Sequence, residues 1–247
     1  MSIINNFTQD QFIQLHDRIS EQNQKSDTLE QAAQKYMDLL YSSFTESIVL
    51  CRLFLTIKFS DLPSANREFV TNLAKANDVF ELVDNNSLIL SLLGTRGEES
   101  QWDNRKNSQG HIGIPLISSK FIDQIPMMSR LLKELGVGID WIDNKKTDVA
   151  IKNIGSMGGV FYVNDAKKAV DSQDRLIITA QDFVDTFSVK SVFGIGGGYL
   201  GHPIFFTTII FLRDHISREL ANRFMLQSNK FKTSTIKLVE DNKILQS

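Results

Sequence analysis

The stretch from residue 191 to residue 224 constrains the fold of this chain more than any other part of the sequence. It reads SVFGIGGGYLGHPIFFTTIIFLRDHISRELANRF, with clustered glycines before a β-branched and aromatic run. Gly196, Gly198 and Gly201 match G-x-G-x-x-G, but a phosphate-binding loop must open directly onto a helix whose free N–H groups hold the anion. Here Gly201 is followed by His202-Pro203 and then by residues that favour a strand. The stretch therefore predicts a strand, a tight turn, a second strand and a helix, and not a nucleotide loop.

The helix expected after this hairpin begins near Asp214 and is long. Apolar residues recur along it at four- and seven-residue spacing, which defines a stripe: Ile216, Leu220, Phe224, Phe231 and Leu238. Such a stripe can pack against the N-terminal helices of its own chain or against the same helix of a second chain. We expect these five residues to form a signalling helix and a dimer contact.

The remaining pattern alternates unevenly between helices and strands. Periods of three and four predict helices at 8–23, 28–44, 66–76, 126–135 and 180–187, and apolar runs predict strands at 47–58, 88–93, 112–117 and 159–163. Pro115 indicates that the 112–117 strand lies at a sheet edge. The pattern predicts an α+β fold: an antiparallel sheet flanked by helices, with N-terminal helices and a long C-terminal helix. We expect residues 1–27 to form an N-terminal helical extension and residues 28–247 to form the main domain.

Composition argues against several functional classes. The 247 residues include 27 basic and 29 acidic side chains, without the basic excess typical of nucleic-acid binders. No apolar run approaches the roughly 20 residues of a membrane helix, and the N-terminus lacks the features of a signal peptide, so we expect a cytoplasmic protein without a membrane partner. The single cysteine, Cys51, excludes an intrachain disulfide and a multi-cysteine zinc site, and its apolar surroundings predict a buried thiol.

The best candidate for a functional region is the polar insert 94–111 between two predicted strands. It concentrates groups that can clamp an anion or stack on a ligand: Arg96, Trp102, Asp103, Arg105 and His111. Tyr199, in the glycine turn, could act as a mobile flap over a ligand or could belong to a tight hairpin. The alternative for the insert is a surface loop whose charges pair internally, for example Arg96 with Glu98 or Asp103.

Several segments together resemble a known family. SLLGTRGEESQWDNRKNSQGHIGIPL, GGVFYVNDA, AQDFVDTFSVKSVFGIGGGYLGHPIFFTTIIFL and FKTSTIKLVEDNKI are similar in order to bacterial GAF-like sensory domains. Such domains are found with PAS, histidine kinase or diguanylate cyclase modules. The resemblance implies a six-stranded or similar antiparallel sheet with helices on one face, a ligand pocket on the other, and dimerisation through the terminal helices. The cyclic-nucleotide pattern N-K-x-F-x-D-E and the bilin-binding run are absent.

Three functional hypotheses follow. The first is a non-enzymatic sensory module that binds a small ligand or a partner, forms a homodimer, and relays its state through the terminal helices to a kinase or cyclase output protein. The second is an enzyme whose site in the insert uses Asp103, Arg105 and His111. The third is a haem or gas sensor ligated by His111 or His202. No motif identifies a catalytic residue or a metal site, and none implies a cofactor.

Overall fold

The computed structural model describes residues 3–108, 110–136, 138–143 and 158–246. Within these residues the strands are β1 (Ile48–Lys58), β2 (Leu88–Gly97), β3 (Gly113–Pro115), β4 (Gly158–Val163), β5 (Ser191–Gly198) and β6 (Phe205–Leu212). They form one antiparallel sheet in the order β3-β2-β1-β6-β5-β4. Pro115 ends the edge strand β3, where a missing N–H costs least.

The helices of the described residues are α1 (Gln9–Gln24), α2 (Leu29–Ser43), α3 (Ser64–Ala76), α4 (Ser119–Asp123), α5 (Pro126–Glu134), α6 (Gln181–Thr186), α7 (Arg218–Arg223) and α8 (Met225–Glu240). Their starts follow local chemistry. Thr8 and Gln11 form a reciprocal capping box at α1, the Thr28 side chain caps α2, and Pro126 begins α5. The predicted α+β class is confirmed.

One face of the sheet, which we call the helical face, carries the terminal helices. Phe12, Leu15 and Ile19 of α1, together with apolar residues of α2 and α8, are buried in a continuous core against inward-facing residues of β1, β5 and β6. Aromatic rings of different elements meet in this core; Phe224 lies 5.0 Å from Phe12 and 5.1 Å from Phe193 between ring centroids. Residues on both sides of position 27 therefore share one core.

The prediction of one continuous C-terminal helix from Asp214 is wrong in two respects. The Ser217 side chain accepts a hydrogen bond from the Leu220 amide, so the helix begins later, at Arg218, and Ile216 precedes it. The helix is then interrupted at Phe224, which separates α7 from α8 and whose ring is buried among other aromatic rings.

The opposite face, which we call the loop face, has a second hydrophobic core. α4, α5, α6 and the segments around them cover inward-facing residues of β1, β2, β4 and β6. This corrects the expectation that helices lie on one face only. The resemblance could not reveal this second layer because much of it is short: α4 has 5 residues and α6 has 6.

The predicted hairpin between β5 and β6 is confirmed. Gly198 pairs with Phe205, the Tyr199 amide donates to the Ile204 carbonyl at 2.8 Å, and Gly201 has a φ of +80° in the turn. Glycine adopts a positive φ at little cost because it has no Cβ, which explains the glycine at this position. No described helix has both the length and the apolar character needed to cross a membrane.

Candidate functional site

A buried arginine lies in the middle of the loop face. Arg52 is on β1 between Leu50 and Phe54, which belong to the loop-face core, and only 9% of its surface is exposed. Its guanidinium donates to the Gly110 carbonyl at 3.2 Å and to the Ser108 hydroxyl at 3.1 Å. Its Nε–H is buried without a hydrogen-bond partner, and no carboxylate of the described residues forms a salt bridge with it.

This environment is unfavourable for a cation. Burial lowers the pKa of Arg52 to about 10, because a charged guanidinium loses its hydration there. Burying an ion without a counter-charge costs several kcal/mol, and two neutral acceptors offset only part of that cost. An arginine in this state can bind a carboxylate or a phosphate, whose planar or multidentate oxygens match its N–H groups.

The strands beside Arg52 contribute one more unpaired polar group. Thr95 on β2 and Ile209 on β6 lie directly opposite Arg52 in the two ladders, so their side chains are on the same face. The Thr95 hydroxyl is buried and has no hydrogen-bond partner. The floor around Arg52 is therefore apolar at Leu50, Phe54 and Ile209, and Thr95 adds an unpaired hydroxyl beside it.

His111 completes the surroundings of Arg52. It follows Gly110, has a φ of 55°, and retains exposed surface. Partial desolvation and the positive charge of Arg52 lower the pKa of His111. His111 is thus the predicted site residue that lies in the electrostatic field of Arg52.

Arg96 and Asp103, both predicted to bind a ligand, pair with each other at the edge of the helical face. The Arg96 Nη1 lies 3.2 Å from the Asp103 carboxylate, and the guanidinium stacks over the Tyr41 ring at 5.7 Å. Internal pairing, the alternative considered for the insert, is what the structure shows for these two charges. Glu98, the other proposed partner of Arg96, instead pairs with Arg213.

Arg105 forms a buried, bidentate ion pair. Its Nε and Nη2 donate to the two carboxylate oxygens of Glu30, near the start of α2, at 2.7 and 2.9 Å. Both side chains are less than a tenth exposed. Since its charge is compensated within the chain, Arg105 holds the insert against α2, and we do not place it in the ligand site.

Trp102 and Tyr199 are also core residues. Trp102 packs in the loop-face core, 4.9 Å from Phe187 between ring centroids. Tyr199 is fully buried on the helical face, and its hydroxyl hydrogen-bonds the Thr235 hydroxyl of α8 at 2.8 Å. The expectation of a mobile flap is wrong for Tyr199 because the ring is anchored in the core; the hairpin alternative holds.

The signalling stripe is buried within its own chain. Ile216, Leu220, Phe224 and Phe231 belong to the helical-face core, and Leu238 packs against it. The Gln227 side chain, on the same stripe, donates to the Phe12 carbonyl at 3.1 Å. Packing against the N-terminal helices, one of the two alternatives, therefore accounts for the stripe, and these side chains do not present an open surface to a second chain.

Sequence reasoning missed Arg52, which the structure makes the strongest candidate. A signal was present: Arg52 is the one charged residue in IVLCRLFLTI, a run in which every other side chain is apolar or can pack as such. A charge within a fully buried strand implies either a partner or a ligand. Among the described residues no group of three or more His, Cys, Asp or Glu side chains could hold a metal ion.

No protein-family model matches the sequence, and no curated protein matches it. In structure the chain is similar to free methionine-R-sulfoxide reductase from Neisseria meningitidis, with a TM-score of 0.46 and 9% identity over 94% of this chain and 92% of that chain. It is also similar to the phycoerythrobilin-bound GAF domain of a cyanobacterial phytochrome (TM-score 0.48, 8% identity, 94% and 97% covered). A third similar structure is the GAF domain of Acinetobacter phosphoenolpyruvate-protein phosphotransferase (TM-score 0.45, 9% identity, 97% and 98% covered). At these identities and TM-scores the similarities carry no conclusion about the function of this chain.

The chain has the six-stranded antiparallel sheet that the resemblance in the sequence implied. The six-stranded antiparallel sheet carries terminal helices on one face and a layer of short helices and loops on the other. Arg52 lies on the face where the resemblance implied a ligand pocket.

Proposed function

We propose that this chain is a non-enzymatic sensory or regulatory domain that binds a small anionic ligand on the loop face. The observation that carries the proposal is the buried Arg52, which has two neutral acceptors and no described carboxylate partner. A carboxylate or phosphate would supply the missing counter-charge. Thr95 and His111 would lie beside the anion.

The enzyme and haem hypotheses have less support. Asp103, Arg105 and His111 were expected to act together, but Asp103 pairs with Arg96, Arg105 pairs with Glu30, and His111 lies in the field of Arg52. These three residues thus interact with different groups and do not form one site. No contact of the described residues favours His111 or His202 as a haem ligand over the anion site.

The proposal also covers the location of the chain, its output protein and its oligomeric state. A domain of this kind would act in the cytoplasm with a kinase or cyclase output protein and would associate as a homodimer. Because the predicted stripe is buried, association would use the outer surfaces of α1 and α8, where Ile13 and Leu226 are 51% and 54% exposed. Light scattering at micromolar concentration distinguishes the dimer from a monomer.

Anion binding can be tested directly by calorimetry and thermal unfolding with inorganic phosphate, citrate and adenosine monophosphate as probes. At 100 times its dissociation constant, a ligand of the folded state stabilises it by about 2.7 kcal/mol. For a chain of this size that corresponds to roughly 5–10 °C in Tm. We expect at least one probe to produce this shift in the unmodified chain and to lose it in Arg52→Gln.

The matched control is Arg130→Gln, the same chemical change on α5. Arg130 is partly buried but has a carboxylate partner, Glu134, at 2.8 Å, so its loss removes a charge without touching the site. A probe that stabilises Arg52→Gln as strongly as the unmodified chain would contradict the proposal, and so would a lack of response to all three anions.

A further inference from the structure

The 98–108 segment connects the Arg52 site to residues 242–246, the segment after α8, which we call the exit segment. We propose that this connection is a relay: an anion bound at Arg52 loosens the hold of the 98–108 segment on α2 and thereby releases the exit segment. The inference rests on the proposed function and adds a mechanism of output to it.

The exit segment is held at the start of α2. The Leu29 amide donates to the Lys243 carbonyl at 2.8 Å, and the Glu30 amide donates to the Ile244 carbonyl at 2.9 Å. These N–H groups have no partner inside the helix, because the first turn of any helix leaves its amides free. The exit segment thus caps the Leu29 and Glu30 amides, while the Thr28 side chain caps the Gln31 amide.

Glu30 joins this cap to the 98–108 segment. Its carboxylate accepts two hydrogen bonds from Arg105 and a third, at 2.9 Å, from the Gln246 amide. The Arg105 guanidinium orients the carboxylate and neutralises it in a buried place. If Arg105 moved away, the buried carboxylate of Glu30 would have no counter-charge, which favours its turning towards water. Its hydrogen bond from the Gln246 amide would then weaken.

Arg105 and the Arg52 contact belong to the same tight turn. The Ser108 amide donates to the Arg105 carbonyl at 3.3 Å, and the Ser108 hydroxyl accepts from Arg52 Nη2 at 3.1 Å. A displacement of Ser108 therefore acts on Arg105 through a single turn of backbone. The chain of contacts runs from Arg52 through Ser108, Arg105 and Glu30 to Gln246.

An anion would disturb this chain at its first contact. Hydrogen bonds from a guanidinium to a charged oxygen are about twice as strong as those to a neutral one. A bound carboxylate or phosphate would therefore displace the Ser108 hydroxyl and the Gly110 carbonyl from Arg52. The turn loses its anchor on the sheet, and Arg105 loses its fixed position against Glu30.

Native-state hydrogen exchange of the full chain, read at the amides of Leu29, Glu30 and Gln246, tests the relay. Arg52→Gln removes the anchor without a ligand, and we expect Gln246 exchange to become about tenfold faster, as for the loss of one buried hydrogen bond. Arg105→Gln removes the ion pair with Glu30 directly and should accelerate Gln246 exchange by an equal or larger factor. Arg130→Gln is the control and should leave all three amides unchanged.

Amides of β5 and β6 in the same data report whether each variant is folded. If Arg52→Gln does not fold, Ser108→Ala removes the same contact from the other side, and a Gln246 rate equal to that of the unmodified chain would overturn the relay. The same result in a folded Arg52→Gln would also overturn it.

Citrate and phosphate separate this inference from the proposed function. If either anion binds at Arg52 by calorimetry but leaves Gln246 exchange unchanged, the relay is wrong and the proposed function stands. If neither anion binds while Arg52→Gln still accelerates Gln246 exchange, the contacts are coupled as described, but the proposal of an anionic ligand is wrong. Binding together with faster Gln246 exchange supports both.

Discussion

At the scale of single residues, two buried arginines have opposite meanings. Arg52 and Arg105 are each 9% exposed, yet Arg105 has a bidentate carboxylate and Arg52 has only neutral acceptors. Residue type and burial are the same, so the partner alone distinguishes a structural arginine from a candidate for ligand binding. Sequence analysis selected Arg105 because it lies in a polar insert and passed over Arg52 because it lies in a strand.

His111 offers a prediction about pH at this scale. Partial desolvation and Arg52 lower its pKa below the ordinary value of about 6.5, so the folded state favours the neutral ring. Folded chains then bind fewer protons than unfolded ones as the pH falls towards and below 6.5, and His111 contributes a loss of stability in that range. Proton NMR should place the His111 titration midpoint below that of an unfolded reference peptide.

In the Arg52→Gln variant the titration midpoint of His111 should rise, because a nearby positive charge disappears. In the unmodified chain a bound anion should also raise this midpoint. Arg130→Gln is the control and should leave the His111 midpoint unchanged, because Arg52 is the charge that acts on this ring. A His111 midpoint indifferent to Arg52→Gln would show that Arg52 does not act on this ring.

At the scale of elements, the sequence predicted almost every helix and strand within a few residues. Amphipathic periods and capping residues are local properties, so α1 with its Thr8–Gln11 box and the β5–β6 hairpin follow from neighbouring residues alone. The failure was the C-terminal helix, which ends and restarts at Phe224. At this break the Phe224 ring packs against Phe12, Phe44 and Phe193, which are distant in the sequence.

Gly159 lies where β4 and α5 approach each other closely. A Cβ added to Gly159 on β4 would lie 2.4 Å from the Glu134 carbonyl oxygen at the end of α5, a backbone atom that cannot move aside cheaply. Gly159→Ala should therefore lower the free energy of unfolding by about 1–3 kcal/mol, measured by urea denaturation.

The neighbouring Gly158→Ala is the matched control, because a Cβ there would meet nothing within 4 Å. It should change stability by less than about 1 kcal/mol. Equal effects of the two substitutions would mean that the approach of α5 to β4 does not constrain Gly159.

At the scale of the whole molecule, the sheet separates two cores with different tasks. The helical face joins both terminal regions, whereas the loop face contains the one buried cation without a carboxylate partner among the described residues. The 98–108 segment has contacts on both sides, since Trp102 packs in the loop-face core and Arg105 reaches Glu30 of α2. A ligand on one face can thus affect the helices on the other through this segment.

The boundary expected at residue 27 leads to a prediction for the whole chain. Phe12, Leu15 and Ile19 of α1 are buried in the helical-face core, and burial of each such side chain contributes about 1.5–3 kcal/mol, or roughly 5–9 kcal/mol together. This is comparable with the 5–15 kcal/mol of net stability typical of a domain. Deleting residues 1–27 should unfold the chain or lower its urea midpoint sharply, as followed by circular dichroism.

Gln14→Ala is the control for the deletion, because Gln14 is on α1 but exposed. It should change the free energy of unfolding by less than about 0.5 kcal/mol. A deleted chain that kept the original midpoint would show that residues 1–27 are a separable extension.

Local patterns in the sequence are enough to predict the elements, the antiparallel hairpin and the α+β class, because periodicity, caps and turn residues act over a few neighbouring positions. Which charges are compensated depends instead on contacts between distant parts of the chain. Glu30 and Arg105 are 75 residues apart and form an ion pair, whereas Arg52 lies beside Ser108, 56 residues away, and has no described carboxylate. The energy of a buried charge depends on what surrounds it in space. The Arg52 site therefore could not be predicted from local sequence, because it is formed where the strands and the 98–108 segment meet in the fold.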